Sequence, residues 1–413
     1  MSRSIIGLAC VAVSALFSAP VVAQTLSPVP IATIDPAVDD FSDLEALARD
    51  IGDARIVMLG EPSHGEGGAF IAKARVIRFL HERMGFDVLA FEGGMGVLNV
   101  AEEAVQAGET PSVALMRSVL PVWGRSDQLK PLGDYLDRAQ RLGDPLTLAG
   151  FDMQEVGPAA ADLADSVEDL GRRAPDGADA FSRLGGHLRA MATGGMRALR
   201  ERDLTTVSED VAVAQSAVAS LSAAEASRWR QQFASIEAFL TFMRRIEEGT
   251  AEVFNKRDQQ MASNLRWLVT MAGSDRKVIV WAATSHSLKD RGAIDPAIDA
   301  TREMVPMGAY IHREFGDDAY VLAFTAGGGK IGSWSRRTAT DIGAPPAGSL
   351  EGELLATTYD YAFSPLAPSG ARRMSWMLGY QPMPAWWDRA VDGVFFIREM
   401  TPTTYSLDAD PTQ

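Results

Sequence analysis

The stretch "ARIVMLGEPSHGEGGAF" (residues 54–70) decides how the rest of the sequence is interpreted. It begins as a nearly continuous apolar run, passes through a turn that holds Glu61 and His64, and ends where helical spacing begins. An apolar run that stops at a polar residue is typical of a strand buried in a parallel sheet. Gly60 and Gly65 predict a turn with backbone conformations that other residues resist. We therefore expect a strand end that presents a carboxylate and an imidazole.

Apolar runs of the same kind recur along the chain. They occupy residues 87–94 (DVLAFEGG), 146–152 (LTLAGFD), 277–286 (KVIVWAATSH) and 318–326 (DAYVLAFTA). Segments with helical spacing separate most of them. Alternation of buried strands and helices predicts an α/β fold, here three α/β/α layers around a mainly parallel sheet.

A long segment at 156–272 predicts an inserted helical bundle. It is rich in Ala, Leu, Arg and Glu, and its apolar residues recur at three- and four-residue spacing. The predicted organisation is therefore a first part of the α/β domain at 24–155, the insertion at 156–272, and the remainder of that domain at 273–413. The last part also contains Gly, Pro and Trp among short strand-like pieces, which predicts a small α+β piece.

The first 23 residues have the pattern of an export signal. A short basic start precedes an apolar segment, and Val21 and Ala23 stand where a signal peptidase reads small residues. Cleavage after Ala23 predicts a periplasmic or secreted protein, and an uncleaved N-terminal anchor is the alternative. Cys10 is the only cysteine. The exported chain would therefore lack disulfides, a cysteine nucleophile and thiolate metal ligands.

Charge narrows the class of partner. The chain has 39 basic and 54 acidic residues, for a net charge of −15, which repels nucleic acid and anionic lipid. After the N-terminal segment no apolar run is long enough to cross a bilayer. We expect a small-molecule partner, with no nucleic acid and no membrane after signal cleavage. The sequence leaves the oligomeric state open.

Polar residues stand where the predicted strands end. In an open parallel sheet, ligands bind in the crevice beyond the carboxyl ends of the strands. Four separate segments are expected to converge on that edge through Glu61, His64, Glu92, Asp152 and His286.

The Glu61 and His64 pair is the strongest candidate for chemistry. An imidazole can take a proton from water, and a nearby carboxylate fixes its tautomer and favours the charged form that results. The alternative is structural: His64 caps the helix that begins near Glu66, while Glu61 pairs with Lys73 or Arg75. Spacing alone leaves both interpretations open.

The other histidines divide into two groups. His286 ends an apolar strand and is a second catalytic imidazole, a substrate hydrogen-bond donor, or a polar residue where the strand meets solvent. His81, His187 and His312 lie on predicted helices beside Arg and Glu, which indicates solvated surface positions.

Metal and nucleotide motifs are weak in this chain. Two histidines and two acids could bind a divalent metal, but HExxH spacing is absent, and we expect neither a metal nor a cofactor. "GGGKIG" (327–332) matches G-x-G-x-x-G after a strand, yet no clear helix follows, so a hairpin loop is predicted. Absence of G-x-S-x-G gives a serine nucleophile elbow no support.

The blocks described above resemble those of a known family. "LGEPSHGEGGAFIAKARVIRFLHERMGFDVLAFEGG" (59–94) resembles the opening signature of the erythromycin esterase family, in which a strand ends in Gly-Glu-x-x-His-Gly and the next strand ends in an acidic residue. Further blocks resemble later family blocks in the same order, namely LAGFDMQ (148–154), KRDQQMASNLRWL (256–268), VIVWAATSHSLKD (278–290) and MGAYIHREFGDDAYVLAF (307–324).

The resemblance implies a hydrolase that opens an ester or macrolactone without a covalent serine intermediate, the chemistry of macrolide resistance. His64 would be the general base acting on water, with Glu61 and Glu92 orienting it or the water. His286 would correspond to the second histidine of a Trp-x-His-Asn-x-His-like block.

The sequence departs from the family pattern at two places. Ala283-Thr284 stands where the family commonly has His-Asn, so one imidazole is missing. Lys73 replaces an arginine of the first helix, and an ammonium group cannot make the two-pronged contact of a guanidinium. We assign Lys73, Arg75 and Asp152 to substrate binding, and Lys73, Arg75 or His286 would steady the oxyanion.

A binding protein of the same fold is the rival interpretation. The missing imidazole and the predicted export favour a periplasmic carrier of haem or another small molecule, since related folds include haem binders. An accessory role in cell-envelope polysaccharide synthesis is a third interpretation that the sequence neither supports nor excludes. The leading expectation remains a hydrolase.

Overall fold

The computed structural model describes residues 26–271, 276–295 and 303–406. The predicted signal peptide at 1–23 lies outside the described residues. Across these three ranges, no helix combines the length and the apolar character that spanning a bilayer requires.

Twelve strands and fifteen α-helices occur in the described ranges. The strands are β1 Val29–Ile31, β2 Ile56–Glu61, β3 Val88–Gly94, β4 Thr147–Asp152, β5 Val278–Ala283, β6 Ala319–Ala326, β7 Lys330–Gly332, β8 Ala339–Asp341, β9 Tyr361–Pro365, β10 Arg373–Ser375, β11 Met383–Ala385 and β12 Gly393–Ile397. The helices are α1 Glu45–Ile51, α2 Gly67–Met84, α3 Met95–Gln106, α4 Pro111–Ser118, α5 Pro121–Gly124, α6 Lys130–Leu142, α7 Ala160–Arg173, α8 Ala178–Arg200, α9 Leu204–Ala217, α10 Ala223–Arg245, α11 Ala251–Met271, α12 Thr284–Ser287, α13 Met307–Phe315, α14 Leu350–Leu355 and α15 Trp387–Ala390.

Eight strands form the central sheet, in the order β1-β9-β12-β6-β2-β5-β3-β4. The six strands from β12 to β4 run parallel, and β9 and β1 add an antiparallel edge. The predicted α/β fold with a mainly parallel sheet is confirmed. Parallel strands bring the carboxyl ends of β2, β5, β3 and β4 to one edge of the sheet.

The two faces of the sheet carry separate cores. Val57 and Leu59 of β2 pack in the core that contains α2, whereas Ile56 and Met58 pack in the core that contains α11 and α13. All four side chains are fully buried, and each contributes about 1.5–3 kcal/mol through removal from water. Two apolar faces explain why β2 reads as a continuous apolar run rather than an alternating one.

Helices α7 to α11 lie between β4 and β5 in sequence, where the insertion was predicted. A buried asparagine connects them to the sheet. Asn264 of α11 donates to the Phe151 carbonyl and to Ser235 Oγ, both at 3.0 Å. Its Oδ1 accepts from Gln231 and Gln260, both at 2.8 Å. All four hydrogen-bonding positions of the amide are therefore used inside the protein.

Replacing Asn264 by leucine should lower the free energy of unfolding by about 2–3 kcal/mol. The reason is that the buried Phe151 carbonyl and Ser235 hydroxyl would lose the amide group that donates hydrogen bonds to them. Urea unfolding followed by circular dichroism measures this change. Gln259→Leu is the matched control, since Gln259 is exposed on the same helix. Equal stability of the two variants would contradict the role assigned to Asn264.

The C-terminal part completes the sheet and adds two hairpins. Strands β9 and β12 join the central sheet, whereas β7 with β8 and β10 with β11 form separate two-stranded sheets. Residues 327–329 of the "GGGKIG" segment connect β6 to β7, and Lys330–Gly332 form β7, the first strand of the antiparallel β7–β8 hairpin. The segment therefore belongs to a hairpin, but the loop of that hairpin is 333–338 and not the segment that was predicted.

Gly60 near the end of β2 and Gly65 in the following turn provide space rather than unusual backbone angles. Neither Gly60 nor Gly65 has a positive φ, so the predicted reason for them was wrong. A Cβ at Gly65 would lie 2.3 Å from the carbonyl oxygen of Gly332, and one at Gly60 would lie 2.9 Å from Thr284 Oγ1. The turn is therefore held against β7 and α12 at distances that only glycine allows.

Candidate active site

Glu61 forms the centre of a buried polar cluster at the end of β2. It lies opposite Ala283 of β5 in the sheet register and is fully buried. Its Oε1 accepts hydrogen bonds from His64 Nδ1 and Trp123 Nε1, both at 2.9 Å. Its Oε2 accepts from Lys73 Nζ at 2.5 Å. Three donors from three segments thus fix the carboxylate in position.

His64 is the accessible member of this cluster. Its side chain is 39% exposed, and its ring meets Trp123 edge-on at 4.9 Å between centroids. The nitrogen Nδ1 is committed to Glu61, so Nε2 is the atom that can meet a substrate. Glu66 is the N-cap of α2 and no side chain caps that helix. The capping alternative for His64 was therefore wrong.

The surrounding carboxylates set the charge of His64. Burial alone lowers the pKa of this imidazole, but the hydrogen bond to Glu61 and the negative charges of Glu92, Glu61 and Glu66 outweigh it and raise the pKa to about 9. The imidazolium form of His64 therefore predominates at neutral pH.

Lys73 supports Glu61 and does not face a substrate. It is fully buried, with Nζ 3.4 Å from the Ala282 carbonyl and 4.5 Å from the centre of the Trp281 ring. Burial lowers the pKa of this ammonium group, although the charge of Glu61 opposes the shift. The predicted contact of Lys73 with substrate is therefore corrected: Lys73 forms an internal ion pair with Glu61. This pair was the structural alternative that the sequence had left open.

Arg75 points away from the cluster. Its guanidinium group binds Asp43 at 2.7 and 3.1 Å and the Asp40 carbonyl at 2.7 Å. Residues two apart on a helix do not share a face, so Lys73 and Arg75 cannot both point to the end of β2. The predicted role of Arg75 in substrate binding is therefore not supported by its position.

Glu92 of β3 lies two strands from Glu61, on the other side of β5. Its Oε2 accepts from the Ala283 backbone N–H at 2.9 Å, and its Oε1 accepts from Arg257 at 3.1 Å. His286 Nε2 lies 3.5 Å from the same Oε1. Burial raises the pKa of Glu92, but the charges of His286, His64 and Arg257 outweigh it and lower the pKa to about 2. Glu92 therefore remains an anion between the two imidazoles.

Asp152 of β4 holds Arg257 rather than reaching into a crevice. Arg257 Nε and Nη2 lie 3.2 and 2.8 Å from the two oxygens of Asp152, which is the two-pronged geometry of a guanidinium with a carboxylate. Asp152 is fully buried, whereas the Arg257 side chain is 18% exposed. Arg257 is therefore the member of this pair that can touch a ligand.

His286 forms a second pair of imidazole and carboxylate. It lies on α12 directly after β5, and its Nδ1 donates to Asp258 Oδ1 at 2.7 Å. The Met307 backbone N–H donates to the same oxygen at 2.9 Å. Burial lowers the pKa of His286, but the charges of Asp258 and Glu92 outweigh it and raise the pKa. The imidazolium form, a hydrogen-bond donor, is thereby favoured.

The sequence missed three residues of the site and misplaced one histidine. Arg257 and Asp258 lie in the block at 256–268, where periodicity indicates a helix but not which face meets the sheet. Trp123 gave no signal at all. His81 is not solvated as predicted: it is buried, with its Nδ1 2.6 Å from the Tyr135 hydroxyl.

The polar groups around Glu61 and those around Glu92 together provide three chemical capacities. His64 can exchange a proton, His286 and Arg257 can donate to a developing negative charge, and Glu92 lies close enough to influence both histidines. Across residues 26–271, 276–295 and 303–406, no three His, Cys, Asp or Glu side chains are grouped as metal ligands.

Comparison with known proteins shows the family. The erythromycin esterase family model matches residues 81–400, so the match begins after His64. YbfO of Bacillus subtilis (strain 168), provisionally named a hydrolase, is 26% identical, with 90% of this chain and 89% of that protein covered. Erythromycin esterase type II of Escherichia coli is 22% identical, with 87% and 93% covered.

A solved structure agrees with these relatives on the fold. A mutant of the erythromycin esterase EreC in its open conformation superposes with a TM-score of 0.71 at 19% identity, with 94% of this chain and 100% of that chain covered. The family match extends over most of the sequence, and the sheet with its helical insertion is shared. The chain therefore belongs to the erythromycin esterase family.

Proposed function

We propose that this protein hydrolyses the ester or lactone bond of a small molecule, with water activated by His64. The pair of Glu61 and His64 carries the proposal, because it leaves one nitrogen of a partly exposed imidazole available at a strand end. The second imidazole and Arg257 flank the same edge of the sheet. Family membership supports a hydrolase, and the geometry supplies the groups that hydrolysis needs.

The reaction follows from the hydrogen bonds. Water attacks the carbonyl carbon while its proton moves to Nε2 of neutral His64, whose Nδ1–H remains bonded to Glu61. The tetrahedral intermediate then expels the alcohol oxygen, which takes the proton back from Nε2. The products are a carboxylic acid and an alcohol, and no bond to the protein forms.

Negative charge on the carbonyl oxygen needs donors. His286 in its imidazolium form and Arg257 are the candidates, since their Nε2 and Nη1 atoms lie 3.4 Å apart on the side of Glu92. Loss of one such donor typically reduces a rate by about a hundredfold to a thousandfold. Lys73 is enclosed and contributes by keeping Glu61 in place.

A panel of 4-nitrophenyl esters, aliphatic lactones and macrolides, incubated with the purified protein, tests the proposal. We expect hydrolysis of at least one class, detected by absorbance or by mass spectrometry of the product acid. Complete inactivity over the panel at pH 6 to 10 would contradict it and favour a ligand carrier of the same fold.

The pH dependence distinguishes a base from an acid at His64. If neutral His64 is the base, kcat/KM should rise about tenfold per pH unit from pH 6 to 8 and level off near 9, because the raised pKa of His64 keeps it charged below that value. Glu61→Gln should move the midpoint to lower pH, since it removes the hydrogen bond and charge that raise this pKa. A rate that falls above pH 9 would instead indicate an imidazolium acid.

Export is a separate part of the proposal. Residues 1–23 carry the signal pattern and lie outside the described residues, so support comes from the sequence alone. Expression of the full chain in a Gram-negative host, followed by fractionation and mass spectrometry, should find a periplasmic protein that begins at Gln24.

A further inference from the structure

One oxygen of Glu61 serves two donors that come from different parts of the chain. Its Oε1 accepts from His64 Nδ1 and from Trp123 Nε1, both at 2.9 Å, while its Oε2 accepts from Lys73. A carboxylate oxygen shared by two N–H groups holds each of them less strongly than it would hold one alone, because both draw on the same negative charge. The indole N–H therefore affects the hydrogen bond that orients the imidazole.

The Trp123 ring also packs against the imidazole. The two rings meet at 76°, with 4.9 Å between their centroids, an arrangement that aromatic pairs favour. Trp123 is fully buried, whereas the His64 side chain is 39% exposed. A substrate can therefore reach His64 but not the indole, and any effect of Trp123 on the reaction passes through the residues that it contacts.

The backbone around Trp123 is held on both sides. Its N–H donates to the Leu120 carbonyl, and its carbonyl accepts from the Ser126 N–H, both at 2.9 Å. Gly124 packs closely against α4, because a Cβ there would lie 2.2 Å from the carbonyl oxygen of Met116. The segment that carries the indole therefore has little room to move relative to α4.

Aromatic rings pack beside the ion pair of Glu61 and Lys73. The Trp123 ring meets Phe91 at 6.5 Å between centroids, and Phe91 stacks on Trp281 at 5.2 Å. Nζ of Lys73 lies 4.5 Å from the centre of the Trp281 ring. In surroundings of low polarity, a hydrogen bond to a carboxylate has a larger effect than it has in water. The loss of one donor from this carboxylate should therefore change its hold on the imidazole.

The charged groups that act on His64 lie on three elements. Burial alone lowers the pKa of His64, but the hydrogen bond to Glu61 of β2 and the charges of Glu92 of β3, Glu61 and Glu66 at the start of α2 outweigh it and raise the pKa to about 9. Lys73 of α2 is the cation bonded to Glu61. A substitution at Trp123 leaves all of these groups in place, so it isolates the contribution of the indole.

We propose that Trp123 is a positioning residue for the reaction: its indole N–H limits the strength with which Glu61 holds the His64 imidazole, and its ring fixes the plane of that imidazole. The inference rests on the proposed esterase function. Without the N–H, Oε1 of Glu61 bonds to His64 alone. The charged form of the imidazole is then stabilised further, and the neutral base forms only at higher pH.

Two substitutions separate the donor from the ring. Replacing Trp123 by 3-benzothienylalanine exchanges the N–H for a sulfur atom and keeps the shape of the ring, whereas Trp123→Phe removes the N–H and also makes the ring smaller. Trp267→Phe is the matched control, because it removes a half-buried indole of α11 whose N–H donates to Ser227 at 3.3 Å. Melting temperatures of the three variants check that each one folds.

We expect both Trp123 variants to move the midpoint of the pH profile of kcat/KM upwards by about 0.5–1 pH unit, opposite to the effect of Glu61→Gln. The plateau of kcat at high pH should stay within about twofold with 3-benzothienylalanine and fall about tenfold in Trp123→Phe, because only the smaller ring lets the imidazole tilt. KM should change little in either variant, since the indole does not meet the substrate. Trp267→Phe should leave all three quantities unchanged.

A titration of His64 followed by NMR requires no turnover. With the imidazole carbons labelled with ¹³C, the chain gives five histidine signals, and His64→Ala identifies the signal of His64. We expect its midpoint near pH 9 in the wild type and higher in both Trp123 variants.

The two hypotheses fail on different results. A His64 midpoint that is unchanged or lower with 3-benzothienylalanine, or a kcat plateau of Trp123→Phe equal to that of the wild type, would overturn the inference. Inactivity towards every ester, together with the expected upward shift of the His64 signal, would overturn the esterase function alone.

Discussion

His64→Ala should reduce ester hydrolysis by about 10³-fold while leaving the fold intact. The loss follows because the imidazole is the only group in the Glu61 cluster that is both able to exchange a proton and exposed to a substrate, its side chain being 39% accessible. The expected change is in kcat, since the imidazole acts on water and not on the bound ester. Rates with the best ester of the panel, measured at pH 9, give the value.

Two comparisons make this result specific. His187→Ala, on α8 of the helical insertion, should retain full activity. The melting temperature of His64→Ala should stay close to that of the wild type, because the ring is partly exposed and its removal leaves Glu61 bonded to Trp123 and Lys73. Retained activity in His64→Ala would remove this residue from the mechanism, whatever the other variants do.

Glu61→Met should be the most destabilising substitution at the site, by about 3–5 kcal/mol, because it leaves the ammonium group of Lys73 buried without its counter-ion. Lys73→Met should destabilise less, since Glu61 keeps the donors His64 and Trp123. The double variant should be more stable than Glu61→Met alone, because the buried ammonium group of Lys73, which had lost its counter-ion, is no longer present. Urea unfolding of the four proteins gives the coupling free energy.

A surface pair provides the matched control. Arg197 and Glu201 are 3.4 Å apart and largely exposed, so Glu201→Met should change stability by less than about 0.5 kcal/mol.

The activity of the double variant of Glu61 and Lys73 adds a second result. It should remain low even where stability returns, since His64 has lost the carboxylate that orients it. Additive effects of the two single substitutions would show that Glu61 and Lys73 do not depend on each other.

Apolar runs predicted the parts of the fold that depend on local sequence. Each of β2, β3, β4, β5 and β6 is buried on both faces and therefore reads as a nearly uninterrupted apolar run. The convergence of Glu61, Glu92 and His286 followed from the single rule that parallel strands share one edge for their carboxyl ends.

Contacts made by the insertion could not be predicted in this way. Arg257 and Asp258 reach the site because α11 packs on the sheet with one particular face, and that rotation depends on side chains distant in sequence, such as Asp152 and Met307. Helical phase, in contrast, was available: residues two apart point in different directions, so the sequence itself separates Lys73 from Arg75. Burial of His81 depends on Tyr135, a contact that spacing does not reveal.

The backbone N–H of Thr403 donates a hydrogen bond to the Gly65 carbonyl at 2.9 Å. This contact has a consequence for the order in which the protein folds. Gly68 also donates its backbone N–H to the Thr401 carbonyl at 3.2 Å, so the turn that carries His64 is completed by residues that are synthesised long after it. A nascent chain that still lacks these residues holds the His64 turn without these hydrogen bonds. We therefore expect the turn to become ordered only after residues 400–403 have joined it, later than the strands around β2.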